Sequence, residues 1–470
     1  MRERSLQVRL KRLKRETAQQ AGGPEGSLER VERTLLGQVD DEVPLKERLE
    51  RLIAATTSRS RERTARLAEV GPRASHGTPF EGREVVNERG TCLLVEKEVL
   101  FGSAASHAGA SSIDTARAWL EQLRYADPDA VAVLTGSPNF AEFDYSRAVF
   151  LDTETTGLSG GTGTAAFLIG VGSLEGDSFQ VRQYLMRDYN EEPALLEALA
   201  RDISRFEYLV TYNGRQFDVP LLETRYRLDR QQSPLLRFLH LDLLHPARRL
   251  WKRRFDSCRL QSLEAALLGV KRVGDIPGEE IPDIYFRFIR GQDESSLGRI
   301  LEHNFIDIVS LAALAARAGH WVTDECVDDP RDAFSLARVF ERAQQVGRAI
   351  DAYERALAMG AGALHVPTLL SLGGHAKRRG DHDAAVPYWR EAADAGACLA
   401  FRELAIHHER RQRDPSAALA IVDDGLERIG TRPCCRRTLQ DFERRRSRLI
   451  RRVERARLGG SAATGSSGTR

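Results

Sequence analysis

A short apolar run that ends in two acidic residues constrains this chain more than any other feature. The apolar residues 149–151 lead directly into Asp152-Thr153-Glu154, and Gly157 follows shortly afterwards. An apolar run that stops at a glycine-containing turn predicts a buried strand. Residues two positions apart on a strand point to the same face. The sequence therefore predicts that Asp152 and Glu154 lie side by side at the end of a core strand.

Two neighbouring carboxylates of this kind need a positive charge between them. Unpaired anions in a half-buried site repel each other, and their burial costs free energy. The pair offers only oxygen donors, with no Cys or His in the cluster, and this favours Mg²⁺ or Mn²⁺ over zinc. The alternative is a surface strand with two solvated acids, although the apolar lead-in argues against it.

Length and composition set broad limits on the chain. With 470 residues it has room for about two to four domains. Lys and Arg total 70 against 68 for Asp and Glu, so the net charge says little about partners. The six cysteines form no CxxC pair, which fits a reducing cytoplasm without a zinc site. We see no apolar run near the length of a membrane span and no signal peptide, so we expect a cytoplasmic protein without membrane contact.

The composition changes along the chain and divides it into five regions. We expect a basic and polar N-terminal arm, partly disordered, then a small α+β segment, a mixed α/β domain, an all-helical domain, and an Arg-rich helix with a disordered tail from Gly459 onward. The predicted bounds are 1–80, 81–144, 145–320, 330–430 and 431–470.

The α/β region alternates strand and helix patterns. The run at residues 149–154 and two further runs predict three strands of an antiparallel meander, and strand–helix units follow. This order predicts a mixed sheet with helices on its faces. The further strands are predicted at 165–172, 179–186, 208–213 and 238–244, and the helices at 192–205, 218–228, 262–268, 282–289 and 297–316.

Small residues recur in the helical region at a nearly constant distance. The segments AIDAY, AAVPY and AALAI begin at Ala349, Ala384 and Ala417, which gives offsets of 35 and 33 residues. Such a period is typical of tetratricopeptide-like helical hairpins, in which small residues let two helices approach closely. The alternative is an ordinary helical bundle.

Two further polar signals lie within the α/β region. A predicted strand ends at Asn213, and Asp218 then opens a helix, where it would either cap the helix or bring a third carboxylate to the strand end. His303 and Asp307 are four residues apart in a predicted helix and therefore share one of its faces. Taken singly, such a His/Asp pair is usually only a helix-surface pair.

In this order the three signals resemble the exonuclease motifs of the DEDD superfamily, which has a ribonuclease H-like fold. The motifs are DTETTG at 152–157, NGRQFD at 213–218 and HNFID at 303–307, spread over about 155 residues. The longer run at 152–172 and RLQSLE at 259–264 are similar to the YprB-like branch. The resemblance covers about residues 145–316, and it implies a metal-dependent nuclease.

The resemblance also implies roles for individual residues. Two divalent ions, Mg²⁺ or Mn²⁺, would be held by four acids: Asp152, Glu154, Asp218 and Asp307. His303 would orient or deprotonate the attacking water. Contacts to the substrate would come from Thr155, Thr156, Gly157, Leu158 and Asn213.

One spacing departs from the pattern of the family. In its histidine-type subgroup the His usually precedes the last Asp by about five residues, and in the tyrosine-type subgroup a Tyr precedes it by about four. Here His303 precedes Asp307 by four. The departure puts the general-base role of His303 in doubt but leaves the metal-binding role of Asp307 unaffected.

We therefore predict a 3′-to-5′ exonuclease acting on DNA or RNA through a single-stranded end, with the helical region available to a protein partner. A structure-specific endonuclease using the same site and a non-catalytic scaffold are the alternatives. A cluster of basic residues would either follow a phosphate backbone, with Trp251 and Phe255 as stacking surfaces for bases, or form an ordinary solvated face. Its cations are Arg225, Arg227, Arg248, Arg249, Lys252, Arg253 and Arg254.

Overall fold

The computed structural model describes most of the chain after the N-terminal arm. The described residues are 81–102, 113–157, 163–293, 295–324, 327–429 and 436–464. The predictions for the arm, for Leu158 and for the last six residues lie outside them.

Seven strands form one mixed sheet in the order β1-β2-β5-β4-β3-β6-β7. Strands β3, β4 and β5 form the predicted antiparallel meander, and β6 and β7 run parallel to β3. The strands are β1 Arg83–Asn87, β2 Gly90–Leu100, β3 Ala148–Thr155, β4 Ala166–Glu175, β5 Ser178–Leu185, β6 Tyr208–Thr211 and β7 Leu239–Asp242. The prediction of a mixed sheet is confirmed, and β1 and β2 extend that sheet at the free edge of β5.

Helices cover both faces of the sheet, so each face contributes to its own hydrophobic cluster. These helices are α1 Asp114–Gln122, α2 Pro128–Thr135, α3 Glu192–Ile203, α4 Asp218–Leu228, α5 Leu244–Trp251, α6 Leu260–Leu263, α7 Ile281–Ile289 and α8 Leu297–Asp324. A π-helical turn, Glu264–Leu268, continues α6. Short 3₁₀ turns occur at Leu123–Tyr125, Pro138–Phe140, Tyr145–Arg147, Tyr189–Glu191, Leu235–Arg237 and Gly362–Leu364.

Helix α8 lies against the sheet and is almost entirely buried. It continues to Asp324, eight residues beyond the predicted end at Ala316. By length and composition alone it is apolar enough to cross a membrane, so the prediction that no such stretch exists is wrong. The most hydrophobic 18 residues of the helix are 89% buried inside the protein, as is usual for the central helix of a core.

The C-terminal region consists of three helix pairs and a long last helix. The helices are α9 Pro330–Arg342, α10 Val346–Ala358, α11 His365–Arg378, α12 His382–Asp394, α13 Cys398–Arg410, α14 Pro415–Ile429 and α15 Arg436–Thr464. The first helices of the pairs begin 35 and then 33 residues apart, which are the offsets of the alanine-containing segments. The helical character is confirmed, and the tetratricopeptide-like assignment stays a prediction.

Helix α15 corrects one boundary. It continues to Thr464, whereas the Gly/Ser-rich composition predicts disorder from Gly459 onward. Ala462 and Ala463 have high helix propensity and lie within the extension. The prediction of disorder is therefore wrong for residues 459–464.

Several residues of the basic cluster around Trp251 make contacts inside the protein. Trp251 is fully buried and packs edge-on against Trp321, so its predicted role as a stacking surface is wrong. Arg225 pairs with the buried Glu192, and Arg249 and Arg254 also bond to protein groups. The cations that keep an exposed position are Arg227, Arg248, Lys252 and Arg253.

Candidate metal centre

The end of the central strand β3 carries the first two acids of the site. Asp152 and Glu154 are partly buried and lie on the same face of β3, between β4 and β6. The chain direction and the two-residue spacing predict this arrangement. The two carboxylates therefore lie next to each other where the strand leaves the core.

Asp218 lies at the first position of α4 and is 8% exposed. Its Oδ1 accepts a hydrogen bond of 2.6 Å from the hydroxyl of Thr153, the residue between the two strand acids. The N-cap position belongs to Phe217, which makes no side-chain capping bond. The side chain of Asp218 is thus tied to β3 at the end that carries the other carboxylates.

Helix α8 brings His303 and Asp307 to the same place. Both are buried, and their spacing puts them on one face of the helix. Nε2 of His303 lies 3.4 Å from Oδ2 of Asp307 and 3.9 Å from Oε1 of Glu154. One donor atom from each of these three residues lies within 4.8 Å of the other two. Residues about 150 positions apart in the chain therefore meet in one cluster.

Asn304 connects α8 to Asp152 through a buried hydrogen-bond network. Its Nδ2 donates to Oδ2 of Asp152 at 3.0 Å, and its Oδ1 accepts from Nε2 of Gln183 at 2.9 Å. Gly170, which pairs with Asp152 in the sheet, makes room for this amide. A Cβ at Gly170 would lie 2.1 Å from Oδ1 of Asn304. The lack of a side chain at Gly170 therefore allows the amide to reach Asp152.

Arg272 lies among three acids in the loop after the π turn. Its side chain is 8% exposed and donates to Asp307, to Asp275 at 3.2 Å and to the buried Glu264 at 2.9 Å. The bond to Asp307 uses Oδ1, and Oδ2 is the oxygen nearest to His303. Arg272 thus partly neutralises the acid that α8 contributes.

Asp275 fixes the orientation of the His303 ring. Its Oδ1 lies 2.7 Å from Nδ1 of His303. Burial alone would raise the pKa of Asp275, but the hydrogen bond from His303 and the charges of His303 and Arg272 lower it below its ordinary value. The carboxylate is therefore ionised and can only accept, so Nδ1 carries the proton of this bond.

The electrostatics of the cluster disfavour four simultaneous negative charges. Burial raises the pKa of Asp152 well above its usual range, and the charges of Asp307, Asp218 and Glu154 raise it further. Burial also raises the pKa of Glu154, where Asp307 and Asp218 add to the effect and Arg272 opposes it. The protein alone therefore does not neutralise the negative charge of these carboxylates.

The other two acids have raised pKa values for the same main reason. Burial raises the pKa of Asp218 to about 6, although the hydrogen bond from Thr153 lowers it. Burial raises the pKa of Asp307 too, while Arg272 and His303 act in the opposite direction. A divalent cation among these oxygens would reverse the raised values, and oxygen-rich donor sets suit Mg²⁺ and Mn²⁺. The residues present therefore fit a divalent metal.

The predicted substrate contacts differ in how accessible they are. Thr155 and Gly157 are partly exposed, and the Thr155 hydroxyl donates to the carbonyl of Gly157. Thr156 is buried, and its hydroxyl accepts from the N–H of Ala165, so it anchors the base of the loop. Asn213 has a positive φ of 66°, and its side-chain amide makes no hydrogen bond within the described part of the chain. Asn213 is therefore open to a ligand, and Thr156 is not.

A cavity of about 690 Å³ opens beside His303. It is bounded by the loop residues 271–275 and by α8, with Lys271 and Arg299 among its cations. Lys271 is exposed, and no partner for it occurs among the described residues. The cavity reaches the cluster at His303, Arg272 and Asp275, and Lys271 gives it a positive charge without a partner among the described residues.

Sequence reasoning missed the contacts of five residues of the site. Asn304 and Thr153 stand inside the recognised motifs, but their contacts depend on which strand faces which helix. Arg272 and Asp275 lie in a loop without periodic spacing, so no sequence signal ties them to the motifs. Glu264 ends the RLQSLE segment, which predicted family membership without indicating that this acid holds Arg272.

Comparison with known proteins agrees with the fold. Residues 149–318 match the family model described as the RNase_H superfamily. The chain is 33% identical over 296 residues to YprB, an uncharacterized protein of Bacillus subtilis (strain 168). The aligned part covers 60% of this chain and 70% of that relative. The matched segment contains all the acids of the cluster described above.

Proposed function

The chain belongs to the ribonuclease H-like family that includes YprB of Bacillus subtilis, and on this premise we propose that it is a metal-dependent 3′-to-5′ exonuclease. The observation that carries the proposal is the meeting of Glu154 from β3 with His303 and Asp307 from α8, whose donor atoms lie within 4.8 Å of one another. Asp218 from α4 is near enough for its charge to raise the pKa of both Asp152 and Glu154. Phosphodiester hydrolysis in such a site depends on positioning and on neutralising charge, and the pocket offers the donors for both.

Four acids would hold two divalent ions, Mg²⁺ or Mn²⁺: Asp152, Glu154, Asp218 and Asp307. When bound, such ions activate water and stabilise the charge that develops on the leaving oxygen. The raised pKa values of the four acids support the proposal, since acids that repel one another bind cations readily.

The remaining residues of the pocket would keep these acids in place. Asn304 holds Asp152, Thr153 holds Asp218, and Arg272 holds one oxygen of Asp307. His303 has two available roles, either to orient or deprotonate the attacking water or to bind an ion directly. The family resemblance implies the role on water, and the contacts of the His303 ring favour direct binding of an ion.

The substrate would be a nucleic acid that enters with a single-stranded end. Phe217 is 57% exposed directly before Asp218, and an exposed aromatic ring beside a phosphodiester-cleaving site suits base stacking. Asn213 offers a free amide, and Lys271 offers a cation for a phosphate. Discrimination between DNA and RNA would depend on contacts to the 2′-hydroxyl.

The helical region would place the nuclease on a protein partner in the cytoplasm. The regular offsets of its helix pairs support a tetratricopeptide-like stack, an architecture that offers an extended binding surface. This part of the proposal is independent of the chemistry.

The test is digestion of end-labelled single-stranded DNA and RNA, with Mg²⁺, with Mn²⁺ and with a chelator. We expect metal-dependent loss of single 3′ nucleotides, and at least about a hundredfold lower rate for Asp152→Asn, because a metal-binding oxygen is lost. Asp256→Asn, which changes an exposed acid in the loop after α5, is the matched control and should digest at the wild-type rate.

The alternatives give different results in the same assay. Internal cuts in a circular substrate would indicate an endonuclease that uses the same acids. A purified chain without any metal-dependent cleavage, or an Asp152→Asn variant as active as the parent, would contradict the enzyme assignment and favour a non-catalytic scaffold.

A further inference from the structure

The ring of His303 presents an unused nitrogen to two acids. Nδ1 is 2.7 Å from Oδ1 of Asp275 and is engaged by that acid, so Nε2 is the ring nitrogen left to face the other two acids. Within the described part of the chain Nε2 forms no hydrogen bond, and its nearest neighbours are Oδ2 of Asp307 and Oε1 of Glu154. One donor atom from each of the three residues lies within 4.8 Å of the other two, an arrangement that could hold a metal ion.

We propose that Nε2 of His303 binds a divalent ion directly, together with Glu154 and Asp307, and that Asp275 positions the ring for this contact. This inference rests on the proposed function and gives His303 a different role from the general base that the family resemblance implies. The metal site thereby gains a nitrogen ligand beside its oxygens.

The distances between the three donors fit one ion. Ligands about 2.1 Å from an octahedral ion lie roughly 3 Å apart when adjacent and roughly 4.2 Å apart when opposite. The observed separations from Nε2 are 3.4 Å to Asp307 and 3.9 Å to Glu154, between these limits. Small side-chain rotations would therefore bring all three donors to an ion.

The surroundings of the ring resemble those of a metal-binding histidine. Such histidines usually donate their other ring N–H to a carboxylate or carbonyl, which fixes the tautomer and the ring orientation. Asp275 accepts in this manner at 2.7 Å. Arg272 engages Oδ1 of Asp307 and leaves Oδ2, the oxygen nearest to Nε2, for an ion.

A nitrogen ligand changes the expected metal preference. Imidazole suits transition metals, whereas Mg²⁺ prefers oxygen. We therefore expect the full chain to bind Mn²⁺ at least about tenfold more tightly than Mg²⁺. His303→Gln should reduce this ratio, and Asp275→Asn should weaken Mn²⁺ binding by about 10- to 100-fold, as is usual for the loss of a residue that orients a ligand.

The decisive experiment is pulsed electron paramagnetic resonance on the full chain with substoichiometric Mn²⁺ and ¹⁵N-labelled histidine. We expect a hyperfine coupling from a histidine nitrogen in the wild type, and its loss in His303→Gln. His320→Gln is the matched control, since His320 lies on the same helix and also pairs with an acid four residues later, Asp324. This variant should keep the coupling.

Other outcomes would overturn the proposal. Bound Mn²⁺ without histidine coupling, as expected if His303 is protonated and merely paired with the acids, would exclude a direct bond. Coupling that persists in a folded His303→Gln variant would assign the nitrogen to another residue. The experiment does not measure cleavage, so nuclease activity without coupling would end this inference alone, and coupling without nuclease activity would end the proposed function alone.

Discussion

At the scale of single residues, the site depends on a glycine at position 170, where a larger residue would not fit. Gly170 faces Asp152 across the sheet, and the amide of Asn304 fills the space where a Cβ would lie. Because the amide also receives a bond from Gln183, it has one orientation available for its donation to Asp152. A backbone position without a side chain thereby sets the position of a metal-binding oxygen.

Gly170→Ala should therefore damage both stability and activity. We expect a loss of about 1–3 kcal/mol in the free energy of unfolding, as for other overpacked cores. Nuclease activity should fall as well, because Asn304 would have to move away from Asp152. Chemical denaturation and the digestion assay measure the two effects.

A control and a double mutant separate this contact from general strain. Gly298→Ala lies in the first turn of α8 with nothing within 4 Å of its Cβ, so it should be neutral or slightly stabilising. In an Asn304→Ala background the Gly170→Ala change should cost less, since the obstructing amide is gone. Equal cost in both backgrounds would contradict the proposed contact.

The pKa of Asp218, raised to about 6, predicts how the site responds to pH. Between about pH 3.8 and 6 the folded protein holds a proton that the unfolded chain, with an ordinary pKa of 3.8, has lost. The stability of the metal-free protein should therefore fall as pH rises from about 4 to 6. Protons compete with metal for the same oxygens, so Mn²⁺ affinity should increase over that interval. It should continue to increase at higher pH while Asp152 and Glu154, whose pKa values are raised well above their usual range, lose their protons.

Calorimetric titrations of Mn²⁺ at pH 5, 6, 7 and 8, with thermal unfolding in chelator, would follow both trends. Asp218→Asn should reduce the fall in metal-free stability between pH 4 and 6, and the raised pKa values of the other acids should leave the rest. A Mn²⁺ affinity that is constant from pH 5 to pH 8 would contradict the account.

At the scale of elements, the π turn and the loop after it form one wall of the pocket. The π turn contributes Glu264, which is 1% exposed and bonds to Arg272. Arg272 in turn reaches Asp275 and Asp307, so the loop is tied to α8 by charged bonds. The wall is therefore held in place through one buried cation.

Arg272→Met should destabilise the metal-free protein strongly. Loss of one partner from a buried ionic cluster typically costs about 3–5 kcal/mol, because the remaining charges stay buried without a partner. Added Mn²⁺ should restore part of this loss by neutralising Asp307, whereas Glu264 stays unpaired. Thermal unfolding with and without Mn²⁺ measures both effects.

The neighbouring Lys271→Met is the matched control for Arg272→Met. Lys271 is exposed, so its replacement should change stability by less than about 0.5 kcal/mol. If the two variants unfolded at the same temperature, Arg272 would have no special role in holding the wall.

The elements of the domain could be predicted because their patterns are local. Short apolar runs and turn signals locate β3, β4 and β5, and the apolar pattern after Asp307 locates α8, although not its end. The approach of Arg272 and Asp275 to the acids depends on how a nonperiodic loop packs, which the local sequence does not report. The ion-paired Arg225 and the buried Trp251 were also not predictable, because a basic run has the same sequence pattern whether its cations face solvent or neighbouring helices.

At the scale of the whole molecule, the helical region and the sheet share one hydrophobic core. Phe340 of α9 belongs to the same buried cluster as Phe150 of β3 and Trp321 of α8. The ion pair between Arg254 and the buried Asp332 crosses the same junction. Phe442 of α15, in contrast, belongs to a separate cluster among the later helices. The first helix pair is therefore part of the body that supports the metal centre.

Phe340→Ala and Phe442→Ala test this division, because both rings are fully buried. Each should cost about 3–5 kcal/mol locally. Hydrogen exchange followed by mass spectrometry should show lost protection in β3 for Phe340→Ala only. If Phe442→Ala also exposed β3, the whole helical region would be one cooperative unit with the sheet.

We propose that acids distant in the sequence create one site for divalent ions, and a calorimetric titration of the full chain with Mn²⁺ counts the ions that this site holds. We expect two ions to bind per chain, and Asp152→Asn to lose at least one of them while the protein stays folded. No binding at millimolar Mn²⁺, or equal binding by the wild type and Asp152→Asn, would contradict the claim.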